Sequence, residues 1–545
     1  MSTSARPAPD AGPATGIPRR MTVLLFLAAL LVPLLFALYS REVWEDYYIT
    51  FRSSRHLVEG AGLVYQPGEK VHTFTSPLGV LVPALGLGIT GSDAGALWFL
   101  RLVSAAGLAA TALLVTAHAR EQRWKSPAWL LALVLGVFEA KIVAFAANGM
   151  ETGLLVFFTA LCWRELTRVA GPRWRPLALA YAGLLWTRPD AFVVAGALTT
   201  AAGLFRSAGS DATPPTGRWR SVFPAVLLGG LLYSAWFFWA WSYYGSPIPQ
   251  TILAKAAISP EGLSLARIAA APLQMLVNIT AIDGTFTPIY AIGGGWPENL
   301  MAAFALLARL GAFLWLLPFL PPSTRLASLA FLIGGVYLRQ ILTFPWYYGP
   351  WTFLGAMALA GGVQHFASQL RKTSHQALCR GAVLLVVLSG AGLLGAQAYS
   401  ARLQQELVEE AGRKQIGEWL RTNAQPGDRV FLEPAGYVGY FSGLRILDYP
   451  GLTSREVAGL VRAGRHRYAE VIEALQPDWV VLRPGEMARE FPDPLALLQN
   501  YSVVRTWNQR AAIDAVRILP GRHWLEFDAE FVLLRRRTFP PPGRD

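Results

Sequence analysis

The sequence predicts a polytopic α-helical membrane protein with about 11 transmembrane helices and a C-terminal water-soluble α/β domain. About 53% of the 545 residues are hydrophobic, only 15% are charged, and the mean hydropathy is +0.36. Soluble globular proteins usually carry about 25% charged residues. The apolar residues also recur in runs near the ~20 residues that a helix needs to cross a bilayer. These observations indicate a protein that crosses the membrane several times.

The apolar runs predict the individual spans. Residues 77–90 are apolar but too short to cross, so we interpret them as a helix at the outer membrane interface. The first span follows Arg19 and Arg20 and lacks a small-residue cleavage site, which favours an uncleaved helix over a signal peptide. The predicted spans are 21–40, 95–118, 127–147, 151–167, 176–188, 190–205, 221–243, 300–318, 325–342, 349–366 and 380–398.

Lysine and arginine residues concentrate in alternate loops, which assigns those loops to the cytoplasm by the positive-inside rule. The N-terminal tail 1–20 is then cytoplasmic, and its Pro/Ala-rich composition predicts disorder. Residues 21–400 form the membrane domain. Its loop 41–94 and segment 244–299, together with the C-terminal part 401–545, are predicted to lie outside the cytoplasm.

The net charge of +13 does not indicate a nucleic-acid partner. After residue 400 the chain has 20 Lys and Arg against 19 Asp and Glu, so the excess lies in the membrane half. Cys162 and Cys379 are the only cysteines, and both fall on the predicted cytoplasmic side. We therefore expect neither a disulfide nor a zinc cluster. Nucleotide- and dinucleotide-binding motifs are absent from the sequence.

The C-terminal part begins with an amphipathic helix over 403–420. Short apolar runs then alternate with turn residues, which predicts a small α/β domain. Such a domain either guides an acceptor or only stabilises the membrane part. The runs are Val430–Leu432, Trp479–Leu482, Val503–Val504 and Phe531–Leu534.

Two adjacent carboxylates, Glu45 and Asp46, follow the first span almost directly. A carboxylate at an apolar interface gains pKa by desolvation, which suits a general base that deprotonates a sugar hydroxyl. First-turn carboxylates also simply stabilise a helix N-terminus. The residues alone leave both interpretations open.

Several blocks resemble a branch of the GT-C superfamily of integral-membrane glycosyltransferases that includes the mycobacterial terminal arabinofuranosyltransferases. They stand in the order of that branch across most of the chain. The blocks are WEDYYITFR at 44–52 with the rest of the first external loop, GMET at 149–152, TRPD at 187–190, YGSPIPQT at 244–251, EPAGYVGYFSG at 433–443 and DYPGLT at 448–453.

This resemblance implies an inverting transfer on the outer face of a bacterial inner membrane. The donor is a polyprenyl-phosphate-linked sugar, and the acceptor is an envelope glycan or glycolipid. Asp46 is implied as the base, with Glu45 in support. Arg52 belongs to the same block, whereas His72 stands where the branch has Glu. No cofactor is certain, and a need for a divalent cation stays open.

Three residues of the other blocks are candidates for the donor phosphate. Arg188 and Asp190 form either a buried ion pair or, through Arg188, a phosphate contact. Lys255 lies in an apolar stretch, where it either snorkels to the interface or meets the leaving phosphate.

For the remaining substrate-binding candidates, a purely structural role explains the residue equally well. Glu151 starts a predicted helix, where a carboxylate is favourable without any function. Tyr347 stands in an aromatic junction that is typical of membrane-interface anchors. Arg339, near the end of the preceding span, is the last candidate.

Two other functions remain compatible with the sequence. A transporter or lipid-linked sugar flippase would use Glu139, Lys141, Arg188 and Asp190 as pathway charges, but the duplicated halves typical of transporters are not visible. A non-catalytic envelope-assembly protein would retain the fold without the reaction.

Overall fold

The computed structural model describes residues 17–205, 216–258, 264–277, 282–291, 294–491 and 493–537. Helices dominate the first 400 residues, and a five-stranded sheet follows. Residues 1–16 of the predicted tail lie outside the described residues.

Within the described ranges, sixteen α-helices precede the sheet-containing part. They are α1 (Arg19–Ser40), α2 (Glu45–Val58), α3 (Pro77–Thr90), α4 (Asp93–Glu121), α5 (Ser126–Gly136), α6 (Ala140–Ala147), α7 (Thr152–Leu166), α8 (Trp174–Thr187), α9 (Phe192–Leu204), α10 (Thr216–Tyr244), α11 (Gln250–Ile258), α12 (Leu265–Val277), α13 (Glu298–Phe313), α14 (Pro322–Leu338), α15 (Gly349–Gln369) and α16 (Thr373–Gln404).

Each predicted span coincides with one of these helices, and the span 127–147 coincides with the pair α5 and α6. By length and composition, five helices of the described residues are able to cross a membrane, and six if the bent pair counts as one. Others, such as α8 and α9, are shorter because Pro189 separates them. The short apolar run 77–90 forms the separate helix α3.

A break of 45° separates α5 from α6. Glu139 caps α6 by accepting a hydrogen bond from the Ile142 amide at 2.9 Å. Lys141 pairs with Glu139 at 3.4 Å and donates to the backbone carbonyls of Gly284 and Thr287. These buried charges satisfy each other and fix the segment before α13, so the structure supplies a structural role for the pair.

Helices α4 and α7 approach closely because glycines face each other between them. A Cβ on Gly153 would lie 2.3 Å from the Ser104 carbonyl oxygen, and one on Gly107 would lie 2.8 Å from the Gly153 carbonyl oxygen. The Gly153 amide donates to the Ser104 hydroxyl at 3.2 Å. Small residues commonly permit such contacts in membrane bundles. This packing sets where the turn before α7 lies.

The C-terminal part continues α16 without a turn. A π-helix (Gln405–Lys414) and α17 (Gln415–Asn423) extend it. The strands are β1 (Arg429–Leu432), β2 (Arg445–Asp448), β3 (Trp479–Leu482), β4 (Tyr501–Asn508) and β5 (Glu530–Arg536). The intervening helices are α18 (Ala435–Ser442), α19 (Arg455–Arg462), α20 (Tyr468–Leu475), α21 (Pro484–Glu490), α22 (Pro494–Asn500), α23 (Arg510–Asp514) and α24 (Arg522–Phe527).

The strand order in the sheet is β2-β1-β3-β5-β4. The first three strands are parallel, while β5 runs antiparallel to both β3 and β4. Four strands lie on the apolar runs seen in the sequence. The sequence pattern does not predict the edge strand β2, because its sequence RILD begins and ends with charged residues.

The C-terminal part is bound tightly to α2 and the loop that follows it. The Arg52 guanidinium is buried and donates to the carbonyls of Gly439, Gly443 and Leu444 at 2.8, 3.2 and 3.1 Å. The Tyr65 hydroxyl donates to the Ala435 carbonyl at 2.8 Å. Hydrogen bonds to a charged donor are the stronger kind. Arg52 therefore holds α18 against α2.

We expect Gly153→Ala to destabilise the membrane part. The new methyl group would overlap the Ser104 carbonyl, and such overpacking typically costs about 1–3 kcal/mol. Thermal unfolding in detergent should show a lower Tm. Gly230→Ala on α10 is the matched control, because no atom lies within 4 Å of the place that its Cβ would occupy. Equal Tm values for the two variants would contradict the proposed close packing.

Candidate active site

A cavity opens between α2, the turn before α7, the end of α8 and α11. Five of the ten candidate residues predicted from the sequence line it: Asp46, Glu151, Arg188, Lys255 and Tyr347. Thr73, Thr75 and Ser76 add hydroxyl groups. We call this space the first cavity.

Asp46 lies in the first turn of α2, which the surrounding chain positions through Trp44. The Trp44 amide donates to the Asn148 carbonyl at 2.8 Å, and its ring packs on Phe145 and Trp346. Burial raises the pKa of the Asp46 carboxyl, although Lys255 opposes the shift. A raised pKa brings a carboxylate closer to the range of an efficient general base.

The first cavity contains two cations of different character. Lys255 is half-buried, and its ammonium lies 4.5 Å from the Phe344 ring centroid and 5.5 Å from that of Trp346. Arg188 lies over the Tyr347 ring at 4.5 Å. Aromatic faces stabilise cations that have lost water. Lys255 is thus kept within the cavity by aromatic rings.

Arg188 is held by carboxylates on two sides. Its Nε donates to Asp190 Oδ1 at 3.0 Å, and its Nη1 lies 3.6 Å from Glu151 Oε1. The Tyr337 hydroxyl donates to Asp190 Oδ2 at 3.1 Å. The buried Arg–Asp pair considered at the sequence level is therefore present. The same guanidinium also lines the cavity, so the two interpretations are compatible.

A second cavity lies between the membrane part and the C-terminal part. It shares Asp46, Ile49, Lys255, Trp346 and Leu452 with the first cavity. Asp46 therefore stands at the boundary of the two spaces. The other lining residues are mainly aromatic or charged: Trp44, Glu45, Tyr290, Phe344, Glu409, Arg413, Glu433, Arg483, Trp524, Phe527 and Asp528.

Glu45 points away from the first cavity and towards α18. Its carboxylate accepts a hydrogen bond from the Gly436 amide and lies 3.6 Å from Arg413 Nη1. Burial raises the pKa of Glu45, against the attraction of Arg413. Glu45 thus connects α2 to the C-terminal part, while Asp46 faces the cavities.

Three candidates lie elsewhere. Arg52 is occupied by backbone carbonyls of the C-terminal part, as described above. His72 is buried and stacks on Tyr244 with ring centroids 4.6 Å apart, one residue before the cavity wall. Arg339 is exposed and donates to Gln274 at 3.2 Å. Asp190 does not line the first cavity itself, but it pairs with Arg188, which does.

Sequence reasoning missed several lining residues. Thr251 and Glu433 belong to recognised blocks, but nothing in the sequence singles out either; the buried Thr251 hydroxyl has no hydrogen-bond partner. Arg413 and Trp524 belong to no block, and their positions emerge only from folding. Among the described residues, no cluster of three His, Cys, Asp or Glu side chains is arranged to hold a metal ion.

Part of the chain is similar in sequence to two known proteins. Over 269 residues the chain is 28% identical to a terminal beta-(1->2)-arabinofuranosyltransferase of Corynebacterium glutamicum, and over 255 residues it is 29% identical to the protein of that name from Mycobacterium tuberculosis. These matches cover 44% and 43% of this chain. They span 37% and 39% of the relatives, less than two fifths of their length.

The whole fold is similar to that of a solved protein, ArnT. The crystal structure of ArnT from Cupriavidus metallidurans bound to undecaprenyl phosphate superposes with a TM-score of 0.52 at 14% identity, covering 95% of this chain and 98% of ArnT. Its apo structure gives 0.54 at 13% identity, with 94% and 97% covered. The chain therefore has a fold similar to that of ArnT, and part of it is similar in sequence to terminal beta-(1->2)-arabinofuranosyltransferases.

The resemblance indicated by the sequence motifs is thereby confirmed. Residues 397–527 also match a family model described as a domain of unknown function, DUF8728. That match begins within α16 and covers most of the sheet-containing part. The ArnT-like fold thus includes a C-terminal part whose family description assigns no activity.

We predict that His72 contributes to pH-dependent stability. Burial lowers its pKa to about 4, so folding favours the neutral ring. The contribution of His72 to the free energy of unfolding is fully present above the unfolded pKa of about 6.5. It is lost as the pH falls towards 4, and the loss is about 2 kcal/mol at pH 5. Between pH 7 and pH 5 the wild type should therefore lose stability relative to His72→Phe, measured as the change in the Tm difference between the two proteins. Parallel curves would contradict this assignment.

Proposed function

We propose that the protein is an inverting glycosyltransferase that transfers a sugar from a polyprenyl-phosphate donor to an envelope glycan or glycolipid. The observation that carries this proposal is the position of Asp46 between two cavities, the first containing Arg188 and Lys255 and the second rich in aromatic side chains. The proposal includes eleven spans, a cytoplasmic N-terminus and a C-terminal α/β domain on the outer face of the bacterial inner membrane.

The first cavity suits the donor phosphate. Lys255 and Arg188 both line it, and a guanidinium with a lysine nearby matches the geometry and charge of a phosphate. Arg188 is already fixed by Asp190 and Glu151 and so needs little reordering on binding. Tyr347 lies beneath the guanidinium. In this proposal Asp190, Glu151 and Tyr347 orient the phosphate-binding arginine.

The second cavity suits the acceptor glycan. Sugar rings pack on aromatic faces, and Tyr290 and Trp524 are stacked there with centroids 3.6 Å apart. The buried Trp524 indole N–H has no hydrogen-bond partner. The part-exposed carboxylate of Glu433 is able to accept hydrogen bonds from sugar hydroxyl groups. The C-terminal part therefore takes part in acceptor binding in this proposal.

The reaction follows from this arrangement. The acceptor hydroxyl oxygen attacks the anomeric carbon of the donor while the bond from that carbon to the phosphate oxygen breaks. Asp46 takes the hydroxyl proton, and the polyprenyl phosphate leaves with its negative charge next to Lys255 and Arg188. Attack on the face opposite the leaving phosphate inverts the anomeric configuration.

The named relatives support an arabinofuranosyl donor over a hexosyl donor. ArnT bound to undecaprenyl phosphate supports a polyprenyl phosphate as its carrier. A short-chain polyprenyl-phosphate arabinofuranose and an arabinofuranosyl oligosaccharide are therefore the substrates for a first assay. Transfer is read by mass spectrometry of the extended oligosaccharide.

Asp46→Asn should abolish transfer, because an amide cannot accept the proton. General-base catalysis typically contributes about 10²–10⁴-fold in rate. Binding of undecaprenyl phosphate should survive the substitution. Asp93→Asn is the matched control, since Asp93 is also a first-turn carboxylate near α2 but lies outside both cavities.

Near-normal transfer by Asp46→Asn would remove the central claim. Movement of the lipid-linked sugar across proteoliposomes without any glycosidic bond formed would instead favour the flippase function.

Lys255→Gln should reduce the rate of transfer by about 10²–10³-fold, as expected when one preorganised charge on a leaving group is removed. It should also weaken undecaprenyl phosphate binding, measured by thermal shift. Lys70→Gln is the control: Lys70 likewise lies over an aromatic ring, Tyr243 at 4.7 Å, but lines neither cavity. Comparable losses in both variants would argue against a phosphate site at Lys255.

A further inference from the structure

One arginine from the C-terminal part compensates the carboxylates that stand beside Asp46. Arg413 is buried, and its Nη1 lies 3.6 Å from Glu45 and 2.7 Å from Glu409. Its Nη2 donates to Asp528 at 2.7 Å. A single guanidinium thus meets three carboxylates from three different segments of the chain.

Asp528 connects Arg413 to a second arginine, Arg483, so that the charged residues form one cluster. The other Asp528 oxygen accepts from Arg483 Nε at 2.6 Å, and Arg483 Nη1 contacts Glu433 at 3.0 Å and Glu486 at 2.6 Å. Five carboxylates therefore share two arginines in this cluster. Removing a charge from a buried ion-pair network leaves its partners uncompensated, which is costly.

Arg413 lies near the end of the π-helix 405–414, and the start of that helix contacts the chain just before Asp46. Gln405 accepts a hydrogen bond from the Val43 amide at 2.9 Å, while Arg413 pairs with Glu45. The π-helix therefore holds the residues on both sides of Trp44. π-Helical turns occur frequently at functional sites.

We propose that Arg413 is a positioning residue for the transfer reaction. Its charge offsets Glu45 and Glu409, holds Glu45 towards α18, and so keeps Asp46 able to accept a proton near neutral pH. This inference rests on the proposed role of Asp46 as base. It gives the C-terminal part a role in the chemistry as well as in acceptor binding.

The electrostatic surroundings agree with this role. Burial raises the pKa of Asp46, and Lys255, then Arg188 and then Arg413 oppose the shift. Burial likewise raises the pKa of Glu45 and Glu409, and in both groups Arg413 is the strongest opposing charge. The ionisable groups that face Asp46 from the packed elements are Glu45, Glu151, Arg188, Lys255, Tyr290, Tyr347, Arg413 and Glu433.

The first test is the pH profile of transfer by Arg413→Gln. The transfer rate should fall at low pH as Asp46 becomes protonated, and we call this fall the acid limb of the profile. Without the Arg413 charge, the acid limb should move to higher pH. Below it, each pH unit of this displacement lowers the rate about tenfold. We expect a loss of about tenfold or more at pH 6.5 that shrinks to about threefold at pH 9. Arg413→Lys should keep the acid limb near that of the wild type.

Arg402→Gln is the matched control, because Arg402 forms an exposed ion pair with Glu406 on the same helical rod. Its pH profile should be unchanged. An equal loss for Arg413→Gln at every pH, or an equal shift of the limb in Arg413→Lys, would reduce Arg413 to a structural residue and overturn the inference.

A second test needs no substrate. A buried carboxyl whose folded pKa is raised stabilises the fold while protonated, and this stability is lost as pH rises from the unfolded towards the folded pKa. Arg413→Gln raises the folded pKa of Glu45 and Glu409 further. Above about pH 8, the folded pKa of Glu45 in the wild type, the Tm of Arg413→Gln should therefore fall more steeply than that of the wild type or Arg402→Gln, because Glu45 in the variant still holds its proton there.

Parallel Tm curves would overturn the inference even if Asp46→Asn is inactive. Conversely, an active Asp46→Asn variant would overturn the proposed function, while a steeper Tm curve for Arg413→Gln would still show that its charge compensates the carboxylates. The two failures are thus distinguishable.

Discussion

The backbone of residues 42–46 is the point on which both halves of the molecule depend. It joins α1 to α2, is largely buried, and carries polar groups that must find partners, since an unpaired buried amide costs about 1–3 kcal/mol. The partners come from separate parts of the chain, so the first turn of α2 has little freedom to move. Its contacts are Trp44 N to Asn148 O at 2.8 Å, Arg101 Nη2 to Glu42 O at 2.8 Å, Val43 N to Gln405 Oε1 at 2.9 Å and Tyr437 Oη to Val43 O at 2.9 Å.

The two cations of the first cavity contribute in different ways. Arg188 comes with the counter-charges Glu151 and Asp190, so it adds a fixed orientation and little net charge. Lys255 contacts aromatic rings and forms no ion pair in the described part of the chain, so it supplies the net positive charge. A leaving phosphate needs both qualities, because charge alone does not orient it and orientation alone does not neutralise it.

The positions of the helices and the candidate base were predictable from the sequence, because apolar runs and the acidic pair at 45–46 are local patterns. The direction of a side chain is not local. Arg52 is only six residues from Asp46, yet it turns towards carbonyls of α18 and the following turn. Arg413 contacts Glu45 across more than 360 residues of chain, and no spacing within a segment reveals that pair. The edge strand β2 escaped prediction because charged residues flank its short apolar centre.

The two cavities have only Asp46, Ile49, Lys255, Trp346 and Leu452 in common. The remaining walls of the first cavity come from the membrane part, whereas those of the second come largely from the C-terminal part and the segment before α13. In the proposed reaction, a change in the wall of one cavity leaves the contacts of the other intact. Selection, or a protein engineer, is then free to exchange acceptors while keeping the lipid-linked donor.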